Sequence, residues 1–276
     1  MMNNRYTKRT FLLEIVAIAL AIVFMIPFYF VLVNSVKPFA AILIDAAAWP
    51  EEFMFSNYAR VWEIIQFPRA FMNSFVITTI SNIGLVLISS MAAWKMVRTP
   101  GKFSKILFIL FVSAMVIPFQ TVMIPLMKVG GTLGLTNSIP GLILMYFGFG
   151  VPLSLFLYHG FVKTVPVEIE ESAMMDGCSS FGVFWRIVFP LLKPITVTVV
   201  ILNTLWIWND YLLPLLVLQD AELRTIPLAA SSFFAQYTKQ WDMGLAALVL
   251  GITPVIIFFL FLQKHIIKGI ASGSIK

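Results

Sequence analysis

Charge is what this chain of 276 residues has least of: Asp, Glu, Lys and Arg together make up 12%, against 60% hydrophobic residues. Water-soluble domains carry roughly 25% charged residues. There is too little polar surface here to cover a soluble globule, so the solvent is largely lipid. Cysteine is nearly absent as well. The single Cys178 excludes an intramolecular disulfide and a Cys-rich metal site, and beside Gly177 it reads as a small packing residue. No G-x-x-x-x-G-K-[ST] phosphate loop occurs, so no nucleotide site of that kind lies in the chain. H-E-x-x-H is missing too. His159 has no second His or acid in reach by sequence, and His265 reads as an interfacial residue in a basic tail. No metal site and no catalytic residue is assigned. There is no repeat of domain-building length and no low-complexity tract. The net charge of +6 comes from 19 Lys and Arg scattered singly between apolar runs, which forms no patch for nucleic acid.

What the chain does have is long uncharged runs. A bilayer core of ~30 Å needs about 20 apolar residues in a helix. Runs of that size occupy Ile15–Val33, Phe71–Trp94, Ile106–Met127, Ile139–Val162 and Met243–Gln263, and a sixth, Ile195–Leu218, holds one acid, Asp210. The expectation is an all-α polytopic membrane protein with six transmembrane helices in a single domain. The spans lie at about 11–33, 71–94, 106–127, 139–162, 195–218 and 243–263, with a loop at 163–194. The basic start mimics a signal peptide, but its apolar run is too long for one and no small-residue cleavage site follows, so it reads as a retained span. The turn-rich "GGTLGLTNSIPG" separates the third run from the fourth.

Lys and Arg set the direction. With the N-terminus inside, thirteen fall on the cytoplasmic side (Arg5, Lys8, Arg9, Lys95, Arg98, Lys102, Lys105, Lys163, Arg186, Lys193, Lys264, Lys268, Lys276). Six fall outside: Lys37, Arg60, Arg69, Lys128, Arg224 and Lys239. Both termini are therefore expected in the cytoplasm. The outer segments 34–70, with a short surface helix in "EEFMFSNYARVWEII", and 219–242 read either as contact surfaces for something outside or as solvated loops with interfacial aromatics.

One cytoplasmic stretch, "VPVEIEESAMMDGCSSFGVFWRIVFP" at 165–190, is out of character with the rest. Pro166 suits a helix start. Glu168, Glu170 and Glu171 follow in the first turns, where the helix dipole favours negative charge. Val165, Ile169 and Ala173 at i, i+4, i+8 give one narrow apolar stripe. Gly177 ends the helix where a left-handed residue is easiest. Ser179 and Ser180 offer an N-cap to a second short helix that stops at Pro190. Two short helices at a glycine corner read either as a docking shape or as a solvated amphipathic loop.

The spacing goes further. Glu171-Ser172-Ala173, three residues, Gly177, nine residues, Ile187, one residue, Phe189-Pro190 resembles the cytoplasmic signature of binding-protein-dependent ABC importer permeases. That signature is Glu-Ala-Ala, three residues, Gly, nine residues, Ile, any residue, Leu-Pro; Ser172 and Phe189 are the departures. "PFYFVLVNSVKP", "MVIPFQTVMIPLMKVGGTLGLTNSIPGLIL", "WNDYLLPLLVL" and "LRTIPLA" are similar to maltose-type and multiple-sugar permeases. The resemblance implies the type I importer permease fold in a bacterial or archaeal plasma membrane. It also implies a second homologous permease, two ATP-binding subunits and an extracytoplasmic sugar-binding protein. ATP and Mg would be used by the partner ATPase and no cofactor bound by this chain. In the family the loop helix inserts into a cleft on the ATPase. Glu170, Glu171, Ala173, Asp176 and Gly177 would then serve coupling, with Ile187 and Pro190 steering the chain back to the membrane.

The solute path is sought among intramembrane polar groups, which usually face a bundle interior or a water path. Asn203, Trp206 and Asp210 at i, i+3, i+7 share one face of the fifth run, with Asn209 beside it. Amides, a carboxylate and an indole suit a sugar; the same residues would equally serve an aromatic belt and interhelical bonds. Asn73, Ser74, Thr78, Thr79 and Asn82 form a second polar face, suited to helix packing. An ion-driven secondary carrier is the alternative outside the class. A polyol or glycerol phosphate is the alternative solute within it.

Overall fold

The computed structural model describes residues 7–234 and 239–273, with side chains for all of them except Lys8 and 262–273. Arg5 and Lys276, and the side chains of Lys8, Lys264, His265 and Lys268, lie outside the described residues. Every regular element among the described residues is helical. The chain divides into two compact units, Met1–Phe67 with Ala230–Thr253, and Pro68–Ala229 with Pro254–Lys276.

In the first unit, helix α1 (Lys8–Ser35) starts at Thr7, whose side chain accepts from the Thr10 N–H. Its apolar window is exposed along its whole length, as expected of a helix solvated by lipid. Its C-terminal end is tied into a polar knot. Asn34 Nδ2 donates to the carbonyls of Phe30 (2.8 Å) and Ala46 (2.9 Å). Asn57 Nδ2 donates to those of Ser35 (3.1 Å) and Lys37 (2.9 Å). Lys37 is itself 2% exposed, its Nζ donating to the Asp45 carbonyl at 3.2 Å. Short helices α2 (Phe39–Ile44) and α3 (Ser56–Ile64) follow, α3 within the mixed aromatic and charged segment.

The second unit contains most of α4 (Phe67–Arg98), then α5 (Lys102–Ala114), α6 (Phe119–Thr132) and α7 (Ile139–Val162). Helices α4 and α7 approach closely through glycine. A side chain at Gly84 would collide with the Phe147 ring, and one at Gly150 would sit 2.6 Å from Leu85 Cδ1. Small residues allow this approach where lipid supplies no hydrophobic drive between helices. Ile77, Leu85, Leu142, Tyr146 and Leu155 fill the core around the contact.

Two of the apolar runs are not the single helices their composition suggests. The third, 106–127, is broken between α5 and α6 by a 105° bend. Pro118 is the cause: it has no N–H to continue the ladder, and it pushes the preceding residue toward extended backbone. The fifth, 195–218, divides into α11 (Lys193–Asn209) and α12 (Leu212–Val217), with extended Asp210 as the cap of α11 (ψ 131°). Among the described residues, four helices are long and apolar enough to span a bilayer, and up to six if each of two bent pairs counts as one span: α5 with α6, and Ser180–Leu191 with α11, the latter bent by 74°. The remaining α-helices among the described residues are α8 to α10, described below, α13 (Ile226–Ala230) and α14 (Trp241–Gly273).

Candidate functional site

The acidic segment folds as α8 (Val167–Met175), with Pro166 as its N-cap and Glu168 and Glu170 in the first turn. Glu170 turns inward and is 3% exposed. Both its oxygens are taken. Trp94 Nε1 donates to Oε2 at 2.8 Å, and Arg98 donates to Oε1 from Nε at 2.9 Å and from Nη2 at 2.8 Å. The same Nη2 donates to the Val165 carbonyl at 2.7 Å. The expected stripe of Val165, Ile169 and Ala173 is therefore corrected. Val165 and Ala173 pack on the core, but Ile169 is 43% exposed and Glu170 holds the inner position. Glu170 and Ala173, at i and i+3, share a helix face, and an acid with three donors waiting for it outcompetes an isoleucine. The outer face carries Glu168, Glu171, Met174, Met175 and Asp176, all exposed.

Gly177 adopts φ +85°, the left-handed region. Cys178 N–H donates to the Ala173 carbonyl (3.0 Å) and Gly177 N–H to that of Met174 (3.0 Å), closing a Schellman motif on α8. Ser179, not Ser180, caps the next helix, its Oγ accepting from the Gly182 N–H at 3.2 Å. That helix does not stop at Pro190. It winds from α9 (Ser180–Val183) through a π-helical turn, Phe184–Val188, into α10 (Phe189–Leu191). Pro190 has no N–H and its ring would crowd the Arg186 carbonyl. The wider π register, with Phe189 N–H bonded to the Phe184 carbonyl, absorbs that misfit. Ile187 is half-buried and Pro190 exposed. Val183, Phe184, Val188 and Leu192 pack with Val86, Ala93, Tyr158, Val162 and Val199, which seats the whole corner on the ends of α4, α7 and α11.

The polar face of α11 is dispersed. Asn203 is 2% exposed and donates to Ser154 Oγ on α7 at 2.9 Å, an interhelical pin. Asn209 is exposed and donates to the Leu205 carbonyl of its own helix at 2.7 Å. Trp206 is 40% exposed and meets Tyr146 edge-on, ring centres 5.5 Å apart. Asp210 Oδ2 accepts from Tyr146 OH at 3.0 Å and Oδ1 from the Leu212 N–H at 3.1 Å. The i, i+3, i+7 register does not reach Asp210, because the helix ends before it. The structure thus brings Trp206 and Asp210 together around Tyr146, and leaves Asn203 and Asn209 apart. Tyr146 had no signal in the sequence: it lies in an unbroken apolar run. His159 stacks on Phe108, ring centres 3.9 Å apart.

A cavity of ≈ 730 Å³ lies between α4, α11 and α14, bounded by Phe71, Thr78, Asn82, Thr204, Trp208 and Phe258 among others. Its walls are almost wholly apolar. Asn82 Nδ2 donates to Thr204 Oγ1 (3.1 Å) and the Thr78 carbonyl (2.9 Å), which closes that polar group on the protein itself. Further along α4, Asn73 Nδ2 donates to the carbonyls of Glu222 (2.8 Å) and Arg224 (3.1 Å). Ser74 Oγ accepts from the Ile226 N–H at 2.9 Å.

A helical membrane chain with an anchored, acidic two-helix corner between apolar runs is the form of an ABC importer permease. The chain belongs to the family of binding-protein-dependent transport system inner membrane components, whose sequence profile matches residues 84–272. It is a multi-pass plasma-membrane protein of that class. It is 42% identical to the "Probable starch degradation products transport system permease protein AmyC" of Thermoanaerobacterium thermosulfurigenes over 96% of this chain and 97% of that one. To the melibiose/raffinose/stachyose import permease protein MelC of Bacillus subtilis it is 34% identical over the full length of both. In three dimensions it superposes on a chain of a bacterial ABC transporter involved in the import of the acidic polysaccharide alginate. The TM-score is 0.78 at 22% identity, covering 95% of this chain and 99% of that one. That likeness carries the fold, type I of the importer permeases.

Proposed function

We propose that this chain is one permease subunit of an ATP-driven sugar importer, and that it docks on ATPase subunits through the 165–190 loop. The carrying observation is the two-sided construction of α8. Glu170 fixes its inner face to the permease, while Glu171, Asp176 and a methionine knob stand outward, Met175 88% exposed. Apolar side chains flanked by carboxylates suit a cleft with a hydrophobic floor and basic rim. In this reading both termini lie in the cytoplasm. A second homologous permease completes the translocation path, and an extracytoplasmic binding protein delivers the solute to the segments at 34–70 and 219–242.

The relatives' names point to oligosaccharides as the solute class. ATP and Mg belong to the two ATPase subunits. ATP binding draws those subunits together and carries the docking helices with them. It favours the outward-open state only to the extent that ATP binds that state better.

The test is purification of the tagged chain from native membranes in mild detergent, followed by uptake of labelled malto-oligosaccharides and raffinose in reconstituted vesicles. Stoichiometric recovery of a second permease and an ATPase, with uptake that requires ATP and binding protein, is expected. A chain that purifies alone, with uptake that survives ATP depletion and collapses with an uncoupler, would overturn the reading in favour of an ion-driven carrier.

A further inference from the structure

The acid that heads the docking helix is not on its docking face. Glu170 is 3% exposed, and its carboxylate is bonded to α4: Trp94 on one oxygen and Arg98 on the other. Arg98 also holds the Val165 carbonyl just before α8, so both the helix and its approach are tied to one guanidinium. A planar two-nitrogen fork fixes direction as well as distance. A buried ion pair of this kind adds little net stability over an apolar contact and serves better to specify geometry.

The opposite end of α4 is tied in the same manner. Asn73 holds the carbonyls of Glu222 and Arg224, Ser74 holds the Ile226 N–H, and Arg69 pairs with Glu222 at 3.0 Å. Arg69 and Arg98 are about 44 Å apart at 1.5 Å per residue, the full thickness of a bilayer with its headgroups. Between them the helix is uninterrupted. Of the four helices among the described residues that are long enough to cross, α1, α7 and α14 carry internal prolines at Pro27, Pro152 and Pro254. Helix α4 has none after Pro68, in its first turn. Each internal proline removes a ladder bond and invites a kink, so α4 is the stiff member of the set.

We propose that α4 is a rigid strut joining the docking helix on one side of the membrane to the 220–226 segment on the other, with Arg98, Glu170 and Trp94 as its joint. These three are positioning residues: they touch neither ATP nor solute, and they carry movement of α8 into α4. The inference rests on the importer reading above, since it needs an ATPase at α8 and a binding protein near 220–226.

The experiment uses the whole complex, reconstituted with its binding protein. Nitroxide labels are placed at Met72→Cys, at the outer end of α4, and Met175→Cys, on α8, in a Cys178→Ser background. Both positions are exposed. In the otherwise native chain, the distance between the labels should stay the same when a non-hydrolysed ATP analogue is added. In Glu170→Gln, which keeps the shape but removes the charge, that distance should broaden or shift with nucleotide. The stimulation of ATP hydrolysis by loaded binding protein should fall about tenfold, within the usual range of coupling between sites. Trp94→Phe, which removes one bond and keeps the ion pair, should show a smaller change of the same kind.

An assembled Glu170→Gln complex with native stimulation overturns the proposal. So does one whose stimulation falls while the label distance remains native. If Glu170→Gln does not assemble, native stimulation and distance in Trp94→Phe overturn it equally. Absence of any ATPase from the unmodified complex would instead refute the importer reading, and the strut with it.

Discussion

At the scale of single residues, neighbouring acids have opposite roles. Glu170 and Glu171 are adjacent in a run of three carboxylates within four positions, and sequence alone gives both to the docking face. The structure turns them apart by one helical step of about 100°, so that one is buried on Arg98 and the other is exposed. Their substitutions should therefore fail differently. Glu171→Lys reverses charge on an exposed face, and is expected to insert and fold normally but to lose ATP-coupled uptake and most of its recovered ATPase. Wild-type uptake in that variant would remove Glu171 from the docking face. Gly177 is simpler. Its φ of +85° is costly for any side chain, roughly 1–2 kcal/mol for an L-residue held in the left-handed region. Gly177→Ala has open space for its methyl group, so its expected effect is that backbone cost alone, read as a few degrees off the melting temperature of the detergent-purified chain. Gly177→Pro cannot take the angle and also loses the N–H bonded to Met174, so it should unfold the corner and abolish uptake.

At the scale of elements, what was legible follows from what sequence patterns encode. Uncharged runs report immersion in lipid, and the all-helical membrane fold follows from them because every backbone group must be bonded internally there. The same runs are silent about bends. Pro118 looks like any intramembrane proline, yet it breaks the third run by 105°, whereas Pro152 and Pro254 sit inside continuous helices. Which proline breaks a helix depends on whether neighbours re-satisfy the freed carbonyls, a tertiary property. The candidate solute face suffered from the same blindness. Asp210 caps α11 in extended backbone, so helical periodicity does not describe its position, and Tyr146, its partner, is one aromatic among many in the sequence. Asn203, which the sequence leaves open between solute contact and an interhelical bond, donates to Ser154. Asn203→Ala should therefore lower thermal stability by about 1 kcal/mol, the net worth of one hydrogen bond, and lower uptake only in proportion to the protein that assembles. A selective loss of sugar affinity at unchanged assembly would return it to the solute path. The glycine contact between α4 and α7 makes a further element-level case. Gly150→Val would drive a branched side chain into Leu85, and overpacking of this sort costs about 1–3 kcal/mol, measurable as reduced yield and melting temperature.

At the scale of the whole molecule, the distribution of positive charge predicts an orientation for the chain, and the structure offers a handle with which to test it. The chain has one cysteine, Cys178, and Met175, three residues before it at the end of α8, is 88% exposed. In a Cys178→Ser background, Met175→Cys gives a single accessible thiol on the segment whose side matters most. Thirteen of 19 basic residues on one side predict that this thiol faces the cytoplasm. A membrane-impermeant maleimide should then label it in inverted vesicles and leave it unlabelled in right-side-out ones. The same reagent reads docking. If the methionine knob is buried against an ATPase, labelling in inverted vesicles should be slow while the complex is intact and should rise when the ATPase is stripped by urea. Labelling from the outer side would reverse the orientation and with it every partner assigned to the loop. Fast labelling in both conditions would keep the orientation and remove Met175 from the docked surface, leaving Glu171 and Asp176 to carry the contact by charge. Salt would then tell the two apart, because an interface held by exposed charges weakens steeply with ionic strength, whereas one that buries Met175 does not.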